Sequence, residues 1–255
     1  MTAEADRAAM IRLETLTFTY PNGISVFRDF HWQADRGEAW AVLGPSGCGK
    51  TTLLYLLAGL RPPTSGWVVI DGQPLERPRP QTGLILQDYG LLPWATVRQN
   101  AELGLRVRAF YGPDGTHAPQ DFRPGGDPDP WLNRLGLAAL QDRYPGQISG
   151  GQRQRTAIAR AIIRDPRVLI FDDALSAVDT QTEANILAGL RRLQEGRTTI
   201  VVAHRVSAFQ HCDRVLVFDE GRLVESGTPD ELVTADGRYA DIVRRQQLEQ
   251  DLEAA

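Results

Sequence analysis

The chain has 255 residues and a mass of 28.2 kDa, enough for one large core or two closely packed lobes. A hydrophobic fraction of 42% beside 24% charged residues is ordinary for a soluble globular protein. The net charge of −4 argues against nucleic acid as the main partner, because binding a phosphate backbone needs a concentrated positive face.

The opening MTAEADRAAMIRLE has no basic region followed by an apolar stretch, so no signal peptide is expected. Ile11 to Tyr20 alternates apolar and polar residues and predicts a strand; Pro21-Asn22-Gly23 then reads as a turn. Val26 to Ala34 predicts a second strand and Glu38 to Leu43 a buried one. Lys50 to Leu60 has helical spacing directly after a glycine-rich loop. Within it, Leu53 to Leu60 is the longest apolar stretch and falls short of the roughly 20 residues that cross a bilayer. Work at a membrane is therefore expected to run through a partner. Strands follow at Trp67 to Ile70, closed by the turn Asp71-Gly72, and at Thr82 to Leu86. Helical segments are predicted at Ala95 to Phe110 and Trp131 to Leu140. They flank a stretch rich in Pro, Gly and Asp, Tyr111 to Pro130, read as a mobile excursion. A helix over Gly151 to Arg164, the strand Val168 to Phe171, a helix over Thr182 to Gln194 and the strands Thr198 to Ala203 and Arg214 to Asp219 complete the order. Strands alternating with helices imply an α/β chain with a mainly parallel sheet covered on both faces.

Cys48 and Cys212 are too few for a disulfide framework, so a reducing setting is expected. Of the 28 Lys and Arg residues, Lys50 is the single lysine and the other 27 are arginine. Lysine is a compact ammonium on a flexible stem and arginine a wide planar fork, so the exception should sit in a tight phosphate pocket. It does: Gly44-Pro45-Ser46-Gly47-Cys48-Gly49-Lys50-Thr51 satisfies G-x-x-x-x-G-K-[ST] between a buried strand and a helix. Glycines there let backbone N–H groups face phosphates, Lys50 would neutralise them, and the Thr51 hydroxyl would hold Mg²⁺. Val168 to Asp172 is an apolar strand ending in a carboxylate, expected to partner Mg²⁺. Alone, such a carboxylate is more often a simple strand end.

Between these motifs stands Ile148-Ser149-Gly150-Gly151-Gln152, which resembles the signature of ATP-binding cassette (ABC) proteins. The resemblance covers about Ile11 to Gln247. It implies a RecA-like P-loop NTPase core, an N-terminal antiparallel β subdomain and an inserted helical subdomain. The corresponding bounds are 1–88 and 165–255 for the core with its β subdomain, and 89–164 for the helical part. It also implies ATP and Mg²⁺ as ligands and two ATP molecules sandwiched in a cassette dimer. In that sandwich Ser149, Gly150, Gly151 and Gln152 touch the γ-phosphate bound by the opposite subunit. By the same resemblance Tyr20 stacks on adenine, the phosphate loop extends through Thr52, and Gln87 senses Mg²⁺ and the membrane partner. Asp179, in Ser176-Ala177-Val178-Asp179, lies in the loop joining the two cassettes, and His204 touches the γ-phosphate. His31, His117 and His211 match no family position. The position after the Mg²⁺ aspartate departs: hydrolysing members carry glutamate, and this chain has Asp173, shorter by one methylene.

Gln87 to Arg98 is similar to importer cassettes for nitrate, sulfonates and related anions. Phe171 to Asp179, and Ala203-His204-Arg205 through Tyr239, are similar to cassettes of two-subunit exporters. The expected role is an ATPase subunit coupling ATP to solute movement through a separate transmembrane permease, on the cytoplasmic face of the cell membrane, with a second identical or different cassette. Transport direction stays open, as do a regulatory cassette with little hydrolysis and a non-transport cassette.

Overall fold

The computed structural model describes residues 9–111, 126–172, 196–202 and 212–253. Asp173, Asp179, His204, the helix expected over Thr182 to Gln194 and residues 112–125 of the expected excursion lie outside them. The chain divides into two compact units, residues 1–79 with 194–255, and residues 80–193.

The first unit holds two sheets. In one, β1 (Ala9–Thr19), β2 (Ser25–Asp35), β4 (Ser65–Ile70) and β5 (Gln73–Pro74) pair in the order β2-β1-β4-β5, all antiparallel. β4 and β5 join through Asp71 and Gly72, whose φ of 53° and 71° suit the two-residue turn that matches strand twist. In the other sheet β3 (Ala39–Leu43) lies parallel to β8 (Thr198–Val202) on one side and to β9 (Arg214–Asp219) on the other. β10 (Arg222–Gly227) then folds back antiparallel on β9. β3 and β8 are buried at every residue, as strands covered on both faces must be. The sheets meet through aromatic residues: Phe30 and Phe218 rings lie 5.8 Å apart, and Trp32 meets Trp40 edge-on at 5.2 Å. Among the described residues its helices are α1 (Lys50–Leu57), α5 (Pro229–Thr234) and α6 (Arg238–Glu253).

The second unit carries the parallel pair β6 (Thr82–Ile85) and β7 (Val168–Asp172) with the helices α2 (Val97–Tyr111), α3 (Pro128–Arg134) and α4 (Gly150–Ile162). Val97 and Ala101 of α2, Leu132 of α3, Leu137, Ile148 and Ala159 of α4 form its helical core.

Three local expectations are corrected. The helix from Lys50 stops at Leu57, because Gly59, at φ 72°, closes it with its N–H on the Leu56 carbonyl. The single helix expected over Trp131 to Leu140 is broken at Gly136, φ 66°, into α3 and a short 3₁₀ turn over Ala138–Leu140. Pro128 to Pro130 begin α3 rather than ending a loop: Asp127 caps the helix by accepting from the Asp129 N–H, and Pro128 sits at the first helical position, where its missing N–H costs nothing. The boundaries read from the sequence at 88/89 and 164/165 differ from those of the compact units, since β6 and β7 group with the helices.

Candidate functional site

β3 runs buried to Leu43, and the six residues after it must turn sharply to start α1. Gly44, Gly47 and Gly49 make that turn at φ of 144°, 80° and 103°, conformations that side chains rarely adopt. Space excludes side chains as well. A Cβ on Gly44 would lie against the Phe218 carbonyl and 2.8 Å from the Cys48 sulfur; one on Gly49 would lie 2.5 Å from Val26 Cγ1. Gly49 caps α1 without any side-chain oxygen, and the first turn carries no acidic residue. No side chain therefore covers the positive helix end, which suits an anion.

Lys50 is 7% exposed. Its Nζ donates to the Gly44 carbonyl at 2.7 Å and to the Pro45 carbonyl at 2.8 Å, so the loop's own backbone holds the ammonium. Thr51 is exposed on the next residue and Thr52 is buried. The Thr52 hydroxyl shares a 2.7 Å hydrogen bond with the Tyr20 hydroxyl. Phe18 meets the Tyr20 ring edge-on at 4.9 Å, and the Arg61 guanidinium lies 5.3 Å from its centroid. The first unit thus brings Tyr20 together with Gly44 to Thr52, and Arg61 joins them without any motif to announce it.

In the second unit β6 and β7 pair with Ile85 opposite Phe171, which places Gln87 and Asp172 beyond the same end of the pair. Asp172 is 6% exposed and Gln87 is exposed. After Gln87 the chain is gripped at two places. Arg160 donates to the Tyr89 and Gly90 carbonyls at 2.7 and 2.5 Å. Asn100, fully buried on α2, accepts from the Leu92 N–H and donates to the Leu92, Ala95 and Thr96 carbonyls. Trp94, between the Leu92 and Ala95 that Asn100 grips, is 73% exposed. Burial holds the Arg160 pKa below its ordinary value, with Asp88 acting in the opposite sense.

Ser149 is the N-cap of α4. Its hydroxyl accepts from the Gln152 N–H at 3.3 Å, while the Gln152 side chain accepts from the Ser149 N–H at 2.8 Å. Gly150 and Gly151 hold the first two helical positions, whose N–H groups have no partner within a helix. The signature is thus both a helix cap and a second anion-binding terminus.

A glycine-built loop that holds its lysine against a helix N-terminus, with an aspartate closing a parallel strand and a second capped N-terminus, defines a P-loop ATPase cassette. Residues 27–176, more than half of the chain, match the ABC transporter family, and the chain belongs to it. The chain is 37% identical over 253 residues to the ATP-dependent lipid A-core flippase of Ralstonia nicotianae, covering 92% of this chain and 40% of that protein. It is 34% identical to Multidrug resistance protein 1 of Entamoeba histolytica, covering 95% of this chain and 19% of that protein. The chain therefore spans well under half the length of the curated relatives it matches. Among solved structures, a bacterial Atm1-family ABC exporter with ATP bound superposes with a TM-score of 0.79 at 31% identity, over 95% of this chain and 42% of that one. A dimeric ATP-binding cassette in a post-hydrolysis state, bound to ADP and Pi, gives 0.75 at 27% identity, over 86% and 98%. The fold is the α/β P-loop fold of ABC ATPases, with its antiparallel β subdomain and helical subdomain. No described helix is long and apolar enough to cross a membrane.

Proposed function

We propose that the chain binds Mg·ATP, closes with a second cassette around two nucleotides, and drives a solute through a membrane permease. The observation that carries this reading is the Gly44–Thr52 cradle, with Lys50 buried on its own loop carbonyls and the α1 N-terminus left uncapped by side chains. The residues fit the ligand: no Cβ has room at Gly44 or Gly49, so backbone N–H groups can approach phosphates. The Thr51 hydroxyl and Asp172 carboxylate are hard oxygen donors suited to Mg²⁺, with Gln87 beside them in the family pattern. When bound, the cation supplies neutralisation of phosphate charge. Tyr20 carries the adenine, and Lys50 holds the terminal phosphates. Ser149 to Gln152 complete the site of the partner cassette, Asp179 links the two cassettes, and Asp173 and His204 serve the attacking water and the γ-phosphate. The core of 1–88 and 165–255 and the helical part of 89–164 are the corresponding working divisions.

The relatives' names speak of multidrug resistance, lipid A-core flipping and glucan export, and these support export with the permease in the cell membrane and the cassette on its cytoplasmic face. A second reading, an ATP-bound switch that hydrolyses slowly, rests on Asp173 in place of glutamate. Calorimetric titration with ATP and Mg²⁺ tests the binding: wild type should bind and Lys50→Ala should not. A wild-type chain without ATP affinity would sink the proposal.

A further inference from the structure

Arg153 and Arg160 stand seven residues apart on α4, two turns along, and so share a helix face. Both reach the segment that follows Gln87. Arg160 donates through its two terminal nitrogens to the successive carbonyls of Tyr89 and Gly90. The turn that presents these carbonyls has an unusual backbone, for Tyr89 and Gly90 both have positive φ, 65° and 55°. A tyrosine is held there only when its surroundings over-determine it. Arg153 supplies the second restraint, with its guanidinium 5.9 Å from the Tyr89 ring centroid. The same guanidinium donates to the Ile148 carbonyl at 3.1 Å and lies 3.4 Å from the Pro145 carbonyl, which are the residues that lead into Ser149.

From this arrangement we infer that Arg153 and Arg160 are positioning residues that lock the Tyr89–Gly90 turn to the signature turn, so that a displacement of the first is delivered to Ser149. One guanidinium bridges the two segments and the other fixes the strained turn against the same helix. Asn100 holds Leu92 and Ala95, on either side of the exposed Trp94, so the segment from Trp94 back to Tyr89 is braced along its length. The inference deepens the proposed function by naming what links the Gln87 segment to the partner-facing serine.

The test uses the full chain in two arms. Amide hydrogen exchange without nucleotide reads the lock itself. Arg160→Lys, which keeps the charge and loses the two-pronged contact, should speed exchange about tenfold at Tyr89, whose N–H donates to the Leu86 carbonyl within the turn, the loss expected from one or two hydrogen bonds. Arg153→Ala should speed it at both Tyr89 and Ser149. Unchanged exchange in both variants overturns the lock whether or not the chain binds ATP. The second arm measures ATP-driven dimerisation for Arg153→Ala, Tyr89→Ala and the double variant. Each single change should weaken dimerisation several-fold at unchanged monomer affinity for ATP, and the double should be no worse than the stronger single. Additive effects mean the two residues act separately, and they overturn the delivery to Ser149. A wild-type chain that fails to bind ATP is instead a failure of the proposed function, and the exchange arm still decides the lock.

Discussion

Lys50 shows how one side chain can be specified by space rather than by charge. Its ammonium sits between two carbonyls at 2.7 and 2.8 Å in a site that leaves it 7% exposed. A guanidinium carries the same charge on a wider plane, and overpacking of such a site costs about 1–3 kcal/mol. Lys50→Arg should therefore weaken ATP binding by tenfold or more; calorimetric affinity equal to wild type would refute selection by shape. Gly44 makes a sharper case. Gly44→Ala would place a methyl group against the Phe218 carbonyl at a φ of 144°, and the backbone on either side cannot yield cheaply. The variant should unfold at a lower temperature and lose ATP binding, with a penalty of at least about 1–3 kcal/mol from the backbone alone.

Among the elements, α5 shows what a cap contributes. Thr228 accepts from the Glu231 N–H and Glu231 accepts from the Thr228 N–H, with Pro229 at the first helical position. Thr228→Ala should cost about 1 kcal/mol, read as a drop of roughly 2–4 °C in Tm. The hydrogen bond from the Thr228 N–H, then that from its side chain, holds the Glu231 pKa below its ordinary value. A carboxylate with a depressed folded-state pKa stabilises above its unfolded-state value and loses that contribution as pH falls through the folded one. The difference between wild type and Glu231→Gln, which removes the titrating carboxylate, should thus be full at neutral pH and shrink as pH drops below the ordinary glutamate range. Denaturation curves at pH 7 and at about pH 3 check the sign.

For the whole molecule, the prediction concerns pairing and turnover. Ser149→Arg breaks the reciprocal cap at α4 and sets a bulky cation where a partner's phosphate should dock. It should leave ATP binding intact and abolish the ATP-driven dimer, measured by light scattering without Mg²⁺. A variant that still dimerises removes the signature from the interface. In the proposed function turnover depends on Asp173, whose side chain is one methylene shorter than glutamate. A misplacement on the order of 1 Å can cost about a hundredfold in rate, or roughly 2.7 kcal/mol of barrier. Asp173→Glu should raise steady-state ATPase activity and Asp173→Asn should lower it. Brisk wild-type turnover that Asp173→Glu leaves unchanged would show that aspartate suffices.

Much of this was legible from local rules. Alternation and apolar runs marked β1, β2, β3, β4, β6, β7, β8 and β9, because burial of one or both faces imposes its period on the sequence directly. The phosphate loop was legible because its glycines and its lone lysine answer to one short stretch of backbone. Four elements, β5, β10, α5 and α6, were missed, two of them although their signals were present: Thr228-Pro229-Asp230-Glu231 is a capping box with proline at the first position, and Glu220-Gly221 is the two-residue turn that makes β10. Other features carried no such signal. Asn100 looks like any polar helix residue until Leu92, Ala95 and Thr96 turn their backbone groups to it. Arg153 and Arg160 are two of 27 arginines, singled out only when the fold brings Tyr89 and Gly90 beneath them. The sequence by itself determined most of the strands and the geometry of the phosphate-type loop, since both arise between near neighbours in the chain. Tertiary structure alone decided which side chains grip the Gln87 segment, because their partners are backbone carbonyls, which every residue supplies alike.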